Sequence, residues 1–305
     1  MPIPHSQLET WSHQGPITSS SNTYQSIRSA LEHSNSPISS MISSGSIKVY
    51  LQGSYANDTN IRGDSDVDVV VELTDAFHSN KYQLTPQELQ LHDQVYSTAS
   101  YGWDDLRNDV IQALNLYYGN SFVDTSGNKS IKVLPNSGRL RADVVPVISY
   151  RKYHYFNGMY DHSKDDGVAL THMEKKTRII NYPNKHYENG VQKHKDTNNL
   201  FKPTVRIMKN AVSYLVDNGT LKKGVAPSYF LQCMVYNVPS HLFNSDLTQT
   251  YCNVINHLHK ADLSSLVCQH NMHSLFGVDD TYWNETDARL TLNALIDLWN
   301  EWYTV

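Results

Sequence analysis

The chain has little of what marks several large protein classes. Its 25 lysines and arginines are outnumbered by 30 aspartates and glutamates, for a net charge of −5. Holding long nucleic acid takes a broad, phosphate-neutralising cationic face, so no long nucleic acid substrate is expected. Basic residues gather only in small groups, Lys175, Lys176 and Arg178, and Lys222 with Lys223, which read as solvated surface charge. The three cysteines, Cys233, Cys252 and Cys268, are odd in number and far apart. That argues against a secreted disulfide scaffold and suits a reducing cytoplasm. The N-terminal MPIPHSQLETWSHQG has no basic start followed by an apolar core, and no run approaches the length of a membrane span. An unexported, cytoplasmic protein without membrane contact is expected. Phenylalanine is scarce, 7 against 20 tyrosines, which fits polar pockets with aromatic faces or a tyrosine-rich core.

What is present suffices for a large globular core: 305 residues, 39% of them hydrophobic. No internal repeat is seen. Ser21 is placed to cap a helix carrying Tyr24, Ile27 and Leu31 on one face. IKVYLQ (47–52), DVDVVVEL (66–73), SIKVLP (130–135) and RADVVPVI (141–148) have the β-branched content and turn-rich flanks of strands, the last two joined by an NSGR turn. A helix is predicted between them over 103–118, with Leu106, Val110, Ala113, Leu114 and Tyr117 at helical spacing. Downstream, Pro203 opens a helix with Val205, Met208, Val212 and Leu215 in an apolar stripe, closed by Asn218-Gly219. Further helices are expected over 228–237, around His257, and over 287–303, where Leu295, Leu298, Trp299 and Trp302 share a face that docks the C-terminus. Residues 160–200 read as the crossing between two lobes. The fold class is α+β, a mixed sheet with flanking helices followed by a helical lobe.

The chemistry concentrates in GSYANDTNIRGDSDVDVVVE (53–72). In a strand Asp66 and Asp68 point one way, with Cα atoms about 6.7 Å apart, while Val67, Val69 and Val71 point to the buried face. Two such carboxylates suit a hard cation such as Mg²⁺ sharing substrate phosphates, or are simply the polar face of a strand. An EF-hand loop starting at Asp64 requires Gly at its sixth position and Glu at its twelfth; Val69 and Asp75 stand there, which excludes it. Asp64 itself is read as a loop or strand-entry residue. Gly53-Ser54, a turn at the end of a strand, permits close phosphate approach to backbone N–H groups.

A Gly-Ser turn followed by an Asp-hydrophobic-Asp strand resembles the polymerase-β-like nucleotidyltransferases. The resemblance implies a third carboxylate on a later strand, which is Asp143 in RADVVPVI; its alternative is a strand-end acid paired with Arg139 or Arg141. Within that superfamily the wording, the preceding helix, RADVVPVISYRKY, KPTVRIMKNAVSYL and APSYFLQ are similar to the cyclic GMP-AMP synthase, oligoadenylate synthase and CD-NTase branch, and together cover most of the chain. The resemblance implies a catalytic core over 1–160, a helical lobe over 161–305 completing the nucleotide pocket, and an active site in the cleft between them. It implies two Mg²⁺ ions, replaceable by Mn²⁺, on Asp66, Asp68 and Asp143. It also implies donor binding by Gly53, Ser54, Lys209, Ser228 and Tyr229: Lys209 and Ser228 on phosphate, Tyr229 stacked on the base. A solvated lysine, a plain N-cap and a core aromatic are the alternatives for those last three.

The reaction so implied is attack of a ribose hydroxyl on the α-phosphorus of an NTP, ATP or GTP foremost, with loss of pyrophosphate. Repeated, it gives a cyclic di- or trinucleotide that acts on a separate effector in anti-phage signalling. The rivals are transfer to a drug, protein or tRNA end, and a degenerate nucleotide-binding regulator. Tyr153, Tyr155, His186 and Asn189 are candidates for the acceptor pocket. Cys252, His257, His259, Cys268, His270 and His273 crowd one segment without a familiar zinc spacing, and read as helix-surface histidines and buried free thiols.

Overall fold

A computed structural model of the chain describes residues 1–15, 17–61, 66–278 and 281–302. Along it run α1 (His5–Ser12), α2 (Thr18–Glu32), α3 (Ser39–Ser44), β1 (Ile47–Leu51), the single-turn α4 (Gly53–Ala56), β2 (Val67–Asn80), α5 (Pro86–Val95) and α6 (Trp103–Tyr118). There follow β3 (Val123–Asp124), β4 (Ile131–Val133), β5 (Ala142–Gly158), β6 (Asp161–Thr171), β7 (Arg178–Asn181), α7 (Pro183–Asp196) and α8 (Phe201–Asp217). The chain closes with α9 (Ser228–Tyr236), α10 (Leu247–Lys260) and α11 (Glu285–Asn300). Tertiary contacts sort these residues into two compact units, one of 17–55 and 64–183, the other of 1–16, 56–63 and 184–305.

The first unit is built on a mixed sheet in the order β1-β2-β5-β4-β3, with β6 against β5 and β7 against β6. Of these strand pairs, among the described residues, only β2 with β5 is parallel. Alternation in β2 does what a two-residue period dictates. Val67, Val69, Val71 and Leu73 are buried in one cluster with Ile27 and Leu31 of α2 and Leu106, Val110 and Leu114 of α6. The opposite face starts with Asp68 and continues with Val70, which is buried with Val147 and Val168. Pro146 sits inside β5 opposite Val71 and contributes no N–H there; its carbonyl is taken by the indole Nε1–H of Trp103 at 2.8 Å. Farther along, Leu84, Tyr153 and Phe156 form a separate aromatic core with α5.

The second unit is helical. Val205, Met208, Val212 and Leu215 of α8 are buried as their spacing predicts, but Phe201, Thr204, Ile207, Lys209 and Ala211 are buried too, so α8 is covered on more than one side. Asp246 caps α10 by accepting from Thr248 N at 2.8 Å, and Asn284 caps α11 by accepting from Thr286 N at 2.8 Å. The C-terminal helix is docked: Leu295 and Leu298 are buried, and Trp302 meets Trp11 edge-on at 5.5 Å. Tyr303, expected in that helix, lies outside the described residues, as does Asp64.

Two local expectations are corrected. The first predicted helix begins at Thr18, not after Ser21, because Ser20 and Thr23 hydroxyls bond back to the Ile17 and Ser19 carbonyls inside the helix. Helix α1, unforeseen in a polar stretch, is held by burying Leu8 and Trp11. At ~1.5–3 kcal/mol for each such side chain, packing outweighs the marginal stability of eight residues alone.

Replacing Trp103 by Phe leaves the Pro146 carbonyl buried without a donor. A loss of about 1–3 kcal/mol in chemical denaturation is expected, with the fold retained by circular dichroism.

Candidate active site

Asp68 and Asp143 are each the second residue of their strand and are Cα partners in the parallel β2-β5 pairing. Their side chains leave the sheet on the same face, with backbones about 4.8 Å apart. Asp66 directly precedes β2, and its carboxylate lies 4.0 Å from Arg141 Nε. Ser130 donates its hydroxyl to Asp143 Oδ1 at 3.1 Å. The same row continues through Lys132 of β4, partner of Asp143, to Asp124 of β3, so a lysine flanks the carboxylates. The arginines weighed as partners for Asp143 are engaged elsewhere: Arg141 at Asp66, and Arg139 donating to Leu134 O at 2.7 Å with its guanidinium 4.1 Å above the Tyr118 ring.

Gly53 opens α4 with φ +70, a left-handed conformation that favours glycine. A Cβ there would overlap the Asp68 carboxylate and come within 2.9 Å of its Cγ. The Gly-Ser turn and the Asp-x-Asp strand are therefore in physical contact, which explains why a glycine belongs at that position.

Three carboxylates, two at paired strand positions and one just before β2, are the hard oxygen donors a divalent ion such as Mg²⁺ takes. Among the described residues no three acidic, histidine or cysteine side chains already converge on one point. Asp66 is turned toward Arg141 and Asp68 toward Gly53. The donor set fits such an ion by chemistry and strand placement, with rotamer changes required on binding.

Lys209, Ser228 and Tyr229 all belong to the helical unit. Lys209 is not a solvated helix lysine: it is 4% exposed and donates to Thr59 O at 3.0 Å and Thr59 Oγ1 at 3.1 Å. Ser228 is exposed and opens α9 without capping it. Tyr229 is 38% exposed rather than a core aromatic. Its ring stacks on His186 at 5.4 Å and 21°. Its hydroxyl end is buried beside the Cys233 and Cys268 thiols, which, burial foremost, holds the phenol well above its ordinary range.

Sequence reasoning missed the residues that connect these groups. Thr59 donates to Gln232 Oε1 at 3.0 Å; Gln232 Nε2 reaches His186 Nε2 at 3.0 Å and Gln269 Oε1 at 3.1 Å. Gln232 was detectable as the one amide in FLQCMVY, an otherwise apolar run three residues after Tyr229. His186 is buried, and burial, then His270 and Lys209, push its pKa down to about 3, so it is neutral at physiological pH. Asn189 instead bonds the Gln269 carbonyl at 2.8 Å. Tyr153 is fully buried in the aromatic core and Tyr155 is 41% exposed. His270 departs from the expected helix-surface position: it is buried in the loop after α10, with Met272 N donating to its Nδ1 at 3.0 Å.

Paired strand aspartates closed against a Gly-Ser turn define a nucleotidyltransferase, and residues 38–110 match the nucleotidyltransferase domain family. Residues 188–300 match the cGAS/DncV-like nucleotidyltransferase C-terminal helical domain, and the chain belongs to this family. It is 44% identical over 302 residues to the cyclic UMP-AMP synthase of Rhodothermus marinus, covering 99% of both chains. It is 37% identical to the cyclic nucleotide synthase CdnE01 of Staphylococcus haemolyticus over 99% of this chain and 100% of the other. The solved structure of the Rhodothermus marinus CdnE with Apcpp and Upnpp superposes with a TM-score of 0.87, covering 100% and 99% of the two chains at 43% identity. The Elizabethkingia meningoseptica CdnE with GTP and Apcpp gives 0.74 over 98% of each at 27% identity.

Replacing Gly53 by Ala should lower turnover at least 100-fold, because the added methyl both strains the backbone and displaces Asp68; folded yield and helicity should be near normal. His186 also links stability to pH. Its folded pKa lies below the unfolded 6.5, so its neutral burial contributes fully above pH 6.5 and is lost as pH falls toward 3. Replacing it by Phe should remove an acid-linked loss of about 2 kcal/mol between pH 7.5 and 5 in urea titrations. His92, His194 and His257, shifted in the same direction, leave a residual slope.

Proposed function

We propose that this protein is a metal-dependent cyclic oligonucleotide synthase, joining NTPs into a cyclic di- or trinucleotide with release of pyrophosphate. The observation that carries the reading is the Asp68-Asp143 pairing, closed against Gly53, in a chain whose full-length relatives are cyclic nucleotide synthases. ATP is the first-choice substrate. The relatives' products span uridine-adenosine, dipurine and dipyrimidine rings, so UTP stands beside GTP as the second.

Asp66, Asp68 and Asp143 would hold Mg²⁺, replaceable by Mn²⁺. The bound ions would lower the pKa of the attacking ribose hydroxyl and neutralise charge on the triphosphate. Asp143 accepts the hydroxyl proton at Oδ2, since Ser130 occupies Oδ1. The hydroxyl oxygen bonds the α-phosphorus as the bond to the β-phosphate oxygen breaks, and pyrophosphate leaves. Gly53 and Ser54 lie against the donor phosphates. Lys209 and Ser228 bind donor phosphate, and Tyr229 carries the donor base on its exposed face. The linear product then re-enters as donor, its ribose hydroxyl closing the ring. Work in the cytoplasm, with a diffusible product acting on a separate effector during phage infection, completes the reading. It follows from family resemblance, and no helix among the described residues is long and apolar enough to cross a membrane.

Purified protein incubated with labelled ATP, GTP, CTP and UTP plus Mg²⁺ or Mn²⁺ should yield a phosphatase-resistant product, mapped by linkage-specific nucleases. Asp66→Asn, Asp68→Asn and Asp143→Asn should each lower it by at least three orders of magnitude. Only linear or protein-bound label would favour transfer to another acceptor; near-normal turnover in Asp66→Asn would refute the carboxylate assignment.

A further inference from the structure

The hydrogen bonds from Lys209 to His186 all run in one sense. Gln269 Nε2 donates to the His186 carbonyl at 2.6 Å, which leaves its Oε1 to accept from Gln232 Nε2. That orients the Gln232 amide, so its Oε1 accepts from the Thr59 hydroxyl, which itself accepts from Lys209 Nζ. The second amide hydrogen of Gln232 points at His186 Nε2. This nitrogen is therefore the bare one, and the ring proton sits on Nδ1. Nδ1 is buried and has no hydrogen-bond partner among the described residues. Gln269 itself fits only because residue 190 is glycine, where a Cβ would overlap its side-chain amide.

An aliphatic or phenyl side chain at 186 could back Tyr229 without an unpaired N–H. The imidazole stands there despite that cost, fastened by its acceptor nitrogen to the same chain that fastens Lys209. We propose that Gln232 and His186 are positioning residues for the donor nucleotide, holding the Tyr229 ring, and the base stacked on it, in a fixed relation to the Lys209 ammonium. This rests on the reading of Tyr229 as base platform and Lys209 as phosphate ligand. His186 touches no substrate. It sets where the platform stands, so nucleoside triphosphates are affected and a bare polyphosphate is not.

Gln232→Met keeps the length and bulk of the side chain and removes both of its hydrogen-bonding ends without adding a charge. Lys209 keeps its bonds to Thr59, while His186 loses the bond that fastens it. The groups around the ring are Lys209 on α8, Tyr229 on α9, and Gln269 and His270 in the loop after α10, and none of them is altered in the variant.

The readout is the Kd of a non-hydrolysable ATP analogue and of inorganic tripolyphosphate, each as a variant-to-wild-type ratio at pH 7.5. In Gln232→Met the nucleotide ratio should be about tenfold, and the tripolyphosphate ratio should stay near one. His186→Phe, which keeps the stack and loses the acceptor, should weaken the nucleotide several-fold. A nucleotide ratio near one in Gln232→Met, or equal weakening of both ligands, overturns the proposal. Tyr229→Ala separates the two levels. Unchanged nucleotide affinity there removes the platform and the proposal with it. A tenfold loss there, with neither Gln232→Met nor His186→Phe weakening the nucleotide, overturns the positioning role alone.

Discussion

The parallel pairing of β2 with β5 is the constraint on which the carboxylate site depends. Parallel neighbours 4.8 Å apart carry partnered residues on one face, and the register that matches Val67 to Ala142 also matches Asp68 to Asp143. A one-residue slip would send either aspartate into the cluster of Val69, Val71 and Val144. Burial of that valine set therefore specifies the register, and the register specifies the site. The carboxylates are thus located by residues that lie in the core and not at the site.

The contact between Gly53 and Asp68 ties a loop to that sheet. The Asp68 carboxylate occupies the space a Cβ would need, so glycine serves both the left-handed turn and the approach of the acid. The helical unit solves its own problem by a different means. Lys209 is buried, and a buried ammonium must be hydrogen-bonded. Thr59 supplies that, and Gln232, Gln269 and His186 carry the polarity onward to the ring behind Tyr229.

Strands and helices with a clear period were legible in the sequence. The helix over 103–118 and the stripe on α8 were visible because each buries a continuous face. Helix α1 and the start of α2 were not, since serine- and threonine-rich stretches look like loops until tertiary packing or bonding back to the helix carbonyls holds them. Asp66, Asp68 and Gly53 stand out because their spacing is local. Thr59 and Gln269 do not: each is an unremarkable polar residue lying 173 and 37 residues from Gln232, the one member of the chain that an apolar run sets off.

The sequence by itself determined which acids share a face with each other and which valines go to the core, because residue type and two-residue alternation decide both. It also determined family membership, through motifs short enough to survive in order. Only the tertiary structure decided that Lys209 is buried on Thr59, that Ser130 rather than an arginine holds Asp143, and that His186 is a neutral imidazole stacked on Tyr229. Those outcomes depend on desolvation and on hydrogen-bond partners supplied by distant segments, which no local pattern encodes.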